Sequence, residues 1–258
     1  MKTILCLLFA LPSLALAASP FDGTWVWDIA STKLPGKPDV YVLDKGNYDC
    51  SSCVPPLHAK ADGTDQPRAG SAYSDTLAVQ VVDAHTVKIT YKKAGKVTGV
   101  DSLSISADGN SMTEAYEDRT ESAPSTSSTM STRIGKATAG AHALTGSWRA
   151  TKVESASDNA STVVIKATAD GISLKDLNGV GYDAKFDGKE YPISGDIGHT
   201  MVTLKRIDAR SIEETDTRDG KVEVVFRMTV AMDGKTIHYV IEDRRHGTTT
   251  RVTLNKKM

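Results

Sequence analysis

Four carboxylates stand where a strand pattern calls for apolar side chains, and they are the residues of this chain best placed to do chemistry: Asp101, Glu114, Glu214 and Asp216. Tyr91, Tyr116 and Tyr239 share their face. A buried carboxylate without a partner is costly, so each must be paired, hydrated or close to an open mouth. Such groups can anchor a ligand inside a cavity. Two of them together could also serve as the acid and base of a hydrolase or isomerase. A plainer reading is that the strands simply run on past the core. No spacing sets two of these acids at a defined separation, so no catalytic residue is assigned.

Cys50-Ser51-Ser52-Cys53 is the second candidate. A thioredoxin-like thiol needs a helix N-terminus to lower its pKa, but Pro55-Pro56 follows at once and no βαβ pattern surrounds the pair. A haem attachment would need His directly after the second cysteine, and residue 54 is Val. A zinc site needs two further ligands, of which His58 could be one. The expectation is a local disulfide in an oxidising compartment, with redox or metal roles as alternatives. The six histidines (His58, His85, His142, His199, His238, His246) show no metal-ligand spacing, so no metal and no cofactor is expected. Nucleophile elbows, phosphate-binding glycine loops and HExxH helices are also absent from the sequence.

The elements that must position these residues follow from an internal repeat. Residues Asp62 to Arg119 align without a gap on Asp187 to Arg244, at a constant spacing of 125. The shared residues are turn and register residues, among them Asp62-Gly63, Pro67, Gly70, Gly95-Lys96-Val97, Asp108-Gly109 and Glu117-Asp118-Arg119. A repeat of this kind sets the architecture before any other signal. It extends outward through Phe21-Asp22-Gly23-Thr24-Trp25 on Leu144-Thr145-Gly146-Ser147-Trp148, and through Ser131-Thr132-Arg133 on Thr249-Thr250-Arg251. The units are therefore drawn as 18–138 and 139–258, with the small, polar run Gly135 to Ala141 as linker. The Ser/Thr-rich stretch Glu121 to Ser131 reads as a long surface loop.

Turn pairs recur about every ten residues between alternating apolar positions, the pattern of antiparallel hairpins. Placing Asp233-Gly234 at the centre of a hairpin sets Val230 opposite Ile237, Met228 opposite Tyr239 and Phe226 opposite Ile241, which identifies the buried face. A three-residue loop at Asp219-Gly220 would set Val222 opposite Asp216 and Val224 opposite Glu214. The same frame buries Val87, Ile89, Tyr91, Val97, Leu103, Ile105, Met112 and Tyr116 in the first unit and leaves His238 on the solvent face. Many short strands at even spacing argue for an all-β barrel or sandwich in each unit.

At the N-terminus, Lys2, the apolar run Ile4 to Leu16 and Ala15-Leu16-Ala17 read as a secretory signal over residues 1–17. Export to the periplasm or the extracellular space is the expectation. The run is too short to span a bilayer, so no transmembrane segment is expected. With 31 basic and 32 acidic residues and no basic patch, nucleic acid is not an expected partner.

Gly23-Thr24-Trp25 with Arg133, and Gly146-Ser147-Trp148 with Arg251, resemble the lipocalin pattern, in which a first-strand Gly-x-Trp packs at the closed end of the barrel against a basic residue of the last strand. The chain also resembles a group of exported bacterial proteins of unknown function. Those carry Phe-x-Gly-(Thr/Ser)-Trp, Asp-Gly-x-x-x-Pro-x-x-Gly and Asp-Gly-Lys-Thr, present in the second unit as Asp187-Gly188 with Pro192 and Gly195, and as Asp233 to Thr236. The resemblance implies two tandem antiparallel lipocalin-like barrels, with Trp25, Arg133, Trp148 and Arg251 closing their ends. The leading functional expectation is non-enzymatic binding of a small hydrophobic or amphipathic molecule. Tyr91, Asp101, Glu114 and Tyr116 would line the first barrel, and Glu214, Asp216 and Tyr239 the second. The alternatives are an envelope structural or protein-interaction module with filled barrels, and a carboxylate-dependent hydrolase or isomerase.

Overall fold

Tight turns with residues at positive φ pace the chain. In Lys45-Gly46, Ala94-Gly95 and Asp219-Gly220 both residues adopt it, at 47 and 78°, 49 and 78°, and 52 and 71°. This is the two-residue hairpin geometry whose twist matches that of the flanking strands. The computed structural model describes residues 19–168 and 170–257, so the signal expected at residues 1–17 lies outside the described residues.

The described chain is nearly all strand. In order it runs β1 (Gly23–Lys33), β2 (Asp39–Asp44), β3 (Asn47–Cys50), β4 (Leu57–Lys60), β5 (Gln66–Pro67), β6 (Thr76–Asp83), β7 (Thr86–Lys93), β8 (Lys96–Ile105), β9 (Ser111–Asp118) and β10 (Ser125–Ile134). Then follow β11 (Gly146–Ala156), the short helix α1 (Asp158–Ser161), β12 (Thr162–Ala167), β13 (Gly171–Asp176), β14 (Gly181–Lys185), β15 (Tyr191–Pro192), β16 (Met201–Arg206), β17 (Ser211–Arg218), β18 (Lys221–Val230), β19 (Thr236–Asp243) and β20 (Thr248–Lys256). They form two ten-stranded antiparallel sheets. Each sheet curls until its ends approach, through the bridges Asp62↔Gln80 in the first and Gly181↔Ser194 in the second. These are the two tandem antiparallel barrels expected from the repeat. Among the described residues no helix is long and apolar enough to cross a membrane.

The barrels are offset by one strand from the repeats, a difference from the units 18–138 and 139–258. Strand β11, which opens the second repeat, pairs with β10 and β2 and so completes barrel one. Strand β1, which opens the first repeat, pairs with β12 and β20 and completes barrel two. Barrel one is therefore the contiguous run β2 to β11, and barrel two is β12 to β20 closed by the N-terminal strand. Strand β10 pairs with β11 across the connection 135–145, whereas β1 and β2, joined by the shorter run 34–38, enter different sheets, so connection length alone does not set the offset.

The expected face assignment holds over most of both barrels. Val87, Ile89, Leu103, Ile105 and Met112 are buried in barrel one, while Tyr91, Val97 and Tyr116 are half-buried. In barrel two the pairs Val230↔Ile237, Met228↔Tyr239 and Phe226↔Ile241 form as expected, and His238 faces solvent. The hairpin at Asp219-Gly220 differs. It is a two-residue turn with Arg218 opposite Lys221, followed by a bulge, so Thr217 faces Val222, Asp216 faces Val224 and Glu214 faces Phe226. Val222 is exposed as a result. The inserted residue is Glu223, and barrel one carries the same bulge at Thr98, between Lys92↔Val97 and Tyr91↔Gly99. One extra residue reverses the pleat, which turns Thr98 inward.

Both Gly-x-Trp strands use one device with different cations. The indole N–H of Trp25 donates to Phe21 O at 2.8 Å, and that of Trp148 to Leu144 O at 2.8 Å. Both rings are fully buried. The strand offset crosses the expected partners: the Arg133 guanidinium lies 4.1 Å over Trp148, and Lys256 Nζ lies 5.2 Å over Trp25. Arg251 takes no part, a correction to the lipocalin-style pairing. It flanks buried Val252 on β20 and so projects to solvent, whereas Lys256 pairs across the sheet with Trp25. The glycine of each Gly-x-Trp makes room for the cation. Gly23 and Gly146 have φ of 145 and 142°, and a Cβ there would sit 2.6 Å from Lys256 Cε and 2.5 Å from Arg133 Nη1.

Candidate functional site: the cavity of barrel one

Strands β7, β8 and β9 lay the inward polar residues side by side. Asp101 faces Ile89 on one side and Tyr116 on the other, and Leu103 faces Glu114. Together Tyr91, Asp101, Glu114 and Tyr116 line a cavity of about 990 Å³, at the upper end of small-molecule sites. All four residues expected for the first barrel thus lie on one cavity.

Its inner wall is organised around Tyr91. The phenol donates to Asp101 Oδ2 at 3.1 Å, and the Arg68 guanidinium stacks 4.6 Å over the ring while Nη1 donates to Ser74 Oγ at 2.9 Å. Two buried atoms on this wall have no hydrogen-bond partner: Asp101 Oδ1 and Arg68 Nε. Burial raises the Asp101 carboxyl above the usual carboxylate range, opposed by the Tyr91 hydrogen bond and the Arg68 charge. Burial raises Glu114 further, with the negative charges of Asp101 and Asp39 adding to it. The pair therefore resists carrying two charges at once. Glu114 faces the cavity and is half-buried. Gly99, opposite Tyr91, leaves the space that the Tyr116 phenol fills, since a Cβ there would lie 2.7 Å from the phenol oxygen.

The rim comes from elsewhere. Cys50 and Cys53 form the expected disulfide, and the loop it staples presents Val54 and Pro55 to the cavity. Barrel two supplies Arg218, Asp219, Lys221 and Glu223 from the β17–β18 hairpin, and Arg245 from the turn after β19. Glu223 receives both guanidinium groups, from Arg218 at 3.1 Å and Arg245 at 3.3 Å. Arg218 also donates to Tyr73 Oη at 2.8 Å, and Arg245 donates to Val54 O at 2.7 Å. A hydrogen-bonded seam thus holds barrel two over the mouth of barrel one.

Barrel two is built differently inside. Its cavity is about 270 Å³ and mainly apolar, lined by residues including Trp27, Val163, Leu174, Met228, Tyr239 and Ile241. Of the three residues expected to line it, only Tyr239 does so. Buried Glu214 accepts the Tyr182 phenol at 2.6 Å, and both burial and the neighbouring Asp216 charge raise its pKa well above the usual range. Asp216 is raised as well, chiefly by burial. These two acids lie off the slot; Glu214 is held by Tyr182, while Asp216 Oδ1 has no hydrogen-bond partner.

Reading the sequence did not single out Arg68, Tyr73 or Thr98, nor the rim residues of barrel two. Arg68 had a weak signal, following Pro67 in the repeated Asp-Gly-x-x-x-Pro-x-x-Gly run. Thr98 and Glu223 had none, because a bulge is invisible to a strict period of two. No metal-binding cluster of His, Cys, Asp or Glu occurs among the described residues. No protein-family model matches this chain, and no curated protein matches it significantly.

Proposed function

We propose that this is an exported, non-enzymatic binding protein of lipocalin-like design whose principal site is the barrel-one cavity, where it holds a small polar molecule. The observation that carries this reading is a cavity of about 990 Å³ whose lining includes Arg68, Tyr91, Asp101, Glu114 and Tyr116. The cavity volume counts against the alternative of filled barrels for barrel one. The apolar slot of barrel two suits a modest apolar group, since even an engineered apolar cavity of about 150 Å³ holds a benzene ring. The two barrels therefore take different ligands, or different parts of one amphipathic molecule. The Cys50–Cys53 disulfide fits an oxidising compartment outside the cytosol.

The test is native mass spectrometry of the full exported chain after incubation with a polar-metabolite extract and, separately, with a lipid extract. Retention of a defined mass from the polar extract, lost in Asp101→Asn, is the expected result. No retained mass from either extract refutes the reading.

A further inference from the structure

Charge is not spread evenly over the barrel-one cavity. The wall that barrel one supplies carries Asp101, Glu114 and Asp118 against one cation, Arg68. The rim that barrel two supplies carries Arg218, Lys221 and Arg245 against Asp219 and Glu223. The three wall acids come from the paired strands β8 and β9, with Asp101 opposite Tyr116 and Asp118 opposite Gly99. A cleft wall with an excess of acids attracts a cation and repels an anion.

Glu114 is the acid of this wall without a hydrogen-bond partner. Asp101 accepts from the Tyr91 phenol at 3.1 Å, and Asp118 accepts from the backbone N–H and the hydroxyl of Thr120 at 2.8 and 2.6 Å. No described residue hydrogen-bonds to the Glu114 carboxyl, which is shifted only by burial and by the Asp101 and Asp39 charges. Among the described residues, the partnerless side-chain atoms sealed from solvent are Arg68 Nε, Asp101 Oδ1 and Asp216 Oδ1. The Glu114 oxygens are not sealed in this way, and the residue is half-buried on the cavity lining. They are open to a donor that enters the cavity.

An ammonium group meets each demand of this wall. It donates three hydrogen bonds and accepts none, its bond to a carboxylate is charge-assisted, and its charge favours ionisation of Glu114 beside Asp101. Tyr116 on the same lining offers ring surface to the cation. A neutral hydroxyl makes only the weaker bond, an anion is repelled, and a quaternary ammonium has no N–H to give.

We infer that the barrel-one cavity selects a small primary amine, whose ammonium group donates to the Glu114 carboxylate. This rests on the ligand-cavity reading above and gives it a chemical class. The excess of cations at the rim suits a far end that is neutral or anionic rather than a second ammonium.

Proton linkage supplies a readout that needs no substitution. Burial, with the Asp101 and Asp39 charges, pushes the Glu114 carboxyl up to about 8, and burial raises Asp101 to about 6. Also facing Glu114 are Asp39 and Tyr41 on β2 and Tyr48 on β3, all three raised by burial. The Arg68 charge opposes the shifts of Asp101 and Tyr48. A primary amine, with a pKa of about 10 like that of lysine, stays charged over this range. Amine affinity therefore rises between pH 6 and pH 8.5 as Glu114 and Asp101 ionise.

The experiment is isothermal titration calorimetry of the full chain with tyramine, hexylamine and ε-aminocaproate, each beside the compound that carries a hydroxyl in place of the amine. At least one amine binds with one-to-one stoichiometry, roughly tenfold or more tighter than its hydroxyl counterpart, and Glu114→Gln weakens it by a similar factor, as expected for losing a charge-assisted bond. Thermal unfolding checks that the variant remains folded, and titration of the unsubstituted protein at pH 6 and pH 8.5 shows the tighter binding at pH 8.5. Hydroxyl compounds that bind as tightly as the amines overturn the inference and leave the ligand-cavity reading standing. Binding by none of the amines also overturns it, as does amine binding that ignores Glu114→Gln or fails to rise with pH. The ligand-cavity reading falls separately, when the extract experiment retains no mass.

Discussion

Arg133 offers the sharpest test of how the barrels are assembled. Its guanidinium donates to Gly109 O at 2.6 Å, Thr145 O at 2.7 Å and Ala143 O, and it covers the Trp148 ring. Arg133→Met keeps the apolar stem and removes every donor. Three carbonyls then lose a charged partner, each worth roughly 1.5 kcal/mol at the low end of the range. Relief of the cost of burying the cation offsets part of that sum, leaving a net loss of about 3 kcal/mol. Against a typical stability of about 5–15 kcal/mol, this is a large fraction. A double-mutant cycle then locates the ring that the cation serves. Arg133→Met combined with Trp148→Leu shows a coupling of about 1 kcal/mol, the size of a partly desolvated cation–π contact. The same cycle with Trp25→Leu shows less than about 0.3 kcal/mol, because Trp25 belongs to barrel two. Urea unfolding followed by far-UV circular dichroism measures all of these. Coupling to Trp25 rather than Trp148, or a loss under about 1 kcal/mol for Arg133→Met, would refute the offset assembly and the closure it implies.

Three further outcomes follow from the same structure. A fragment spanning residues 36–157 contains every strand of barrel one and unfolds cooperatively in urea, whereas 18–138 lacks β11 and does not; equal cooperativity of the two fragments would contradict the observed pairing. Gly146→Ala destabilises barrel one by about 2 kcal/mol or more through positive-φ strain and the contact with Arg133, read as a lower urea midpoint, while Gly36→Ala, at an ordinary φ and where a Cβ meets nothing within 4 Å, shows a much smaller loss. The protein loses stability as pH rises, because Glu114 is pushed from 4.5 up to about 8 and Asp216 from 3.8 to about 7. The folded state binds more protons than the unfolded one inside those windows, so the contribution is complete below pH 4 and is lost as pH climbs through about 7 to 8. Urea midpoints at pH 5 and pH 8.5 measure the slope, and Glu114→Gln with Asp216→Asn reduces it, the remainder belonging to Asp101 and Glu214, which are raised as well; an unchanged slope in that double variant would locate the pH dependence elsewhere.

Much of the barrel interior was legible because a strand has a period of two. Once a turn such as Asp233-Gly234 centres a hairpin, parity alone assigns the faces. Hence Asp101 and Glu114 could be placed inward beside Tyr91 and Tyr116 from spacing. The reading failed where the period was interrupted. The bulges at Thr98 and Glu223 shift the register by one residue at the end nearest the turn, and Val222 was drawn inward although it is exposed. It failed again where a choice depended on side-chain geometry, as at Arg251 and Lys256, both basic and both on β20.

The sequence by itself determined that the chain is a doubled set of hairpins, which face of each strand is buried, and that one barrel would carry acids where the other carries aromatic rings. Those properties are local: they depend on turn residues, pleat and the apolar alternation between them. Only the tertiary structure decided which sheet each opening strand would join. Both strands carry the same Gly-x-Trp pattern, so either fits either barrel by sequence, and the choice is made by the packing of whole sheets and not by the length of a connection. The tertiary structure also made the cavity a shared construction, because Arg218, Glu223 and Arg245 reach the mouth of barrel one only when barrel two is packed against it.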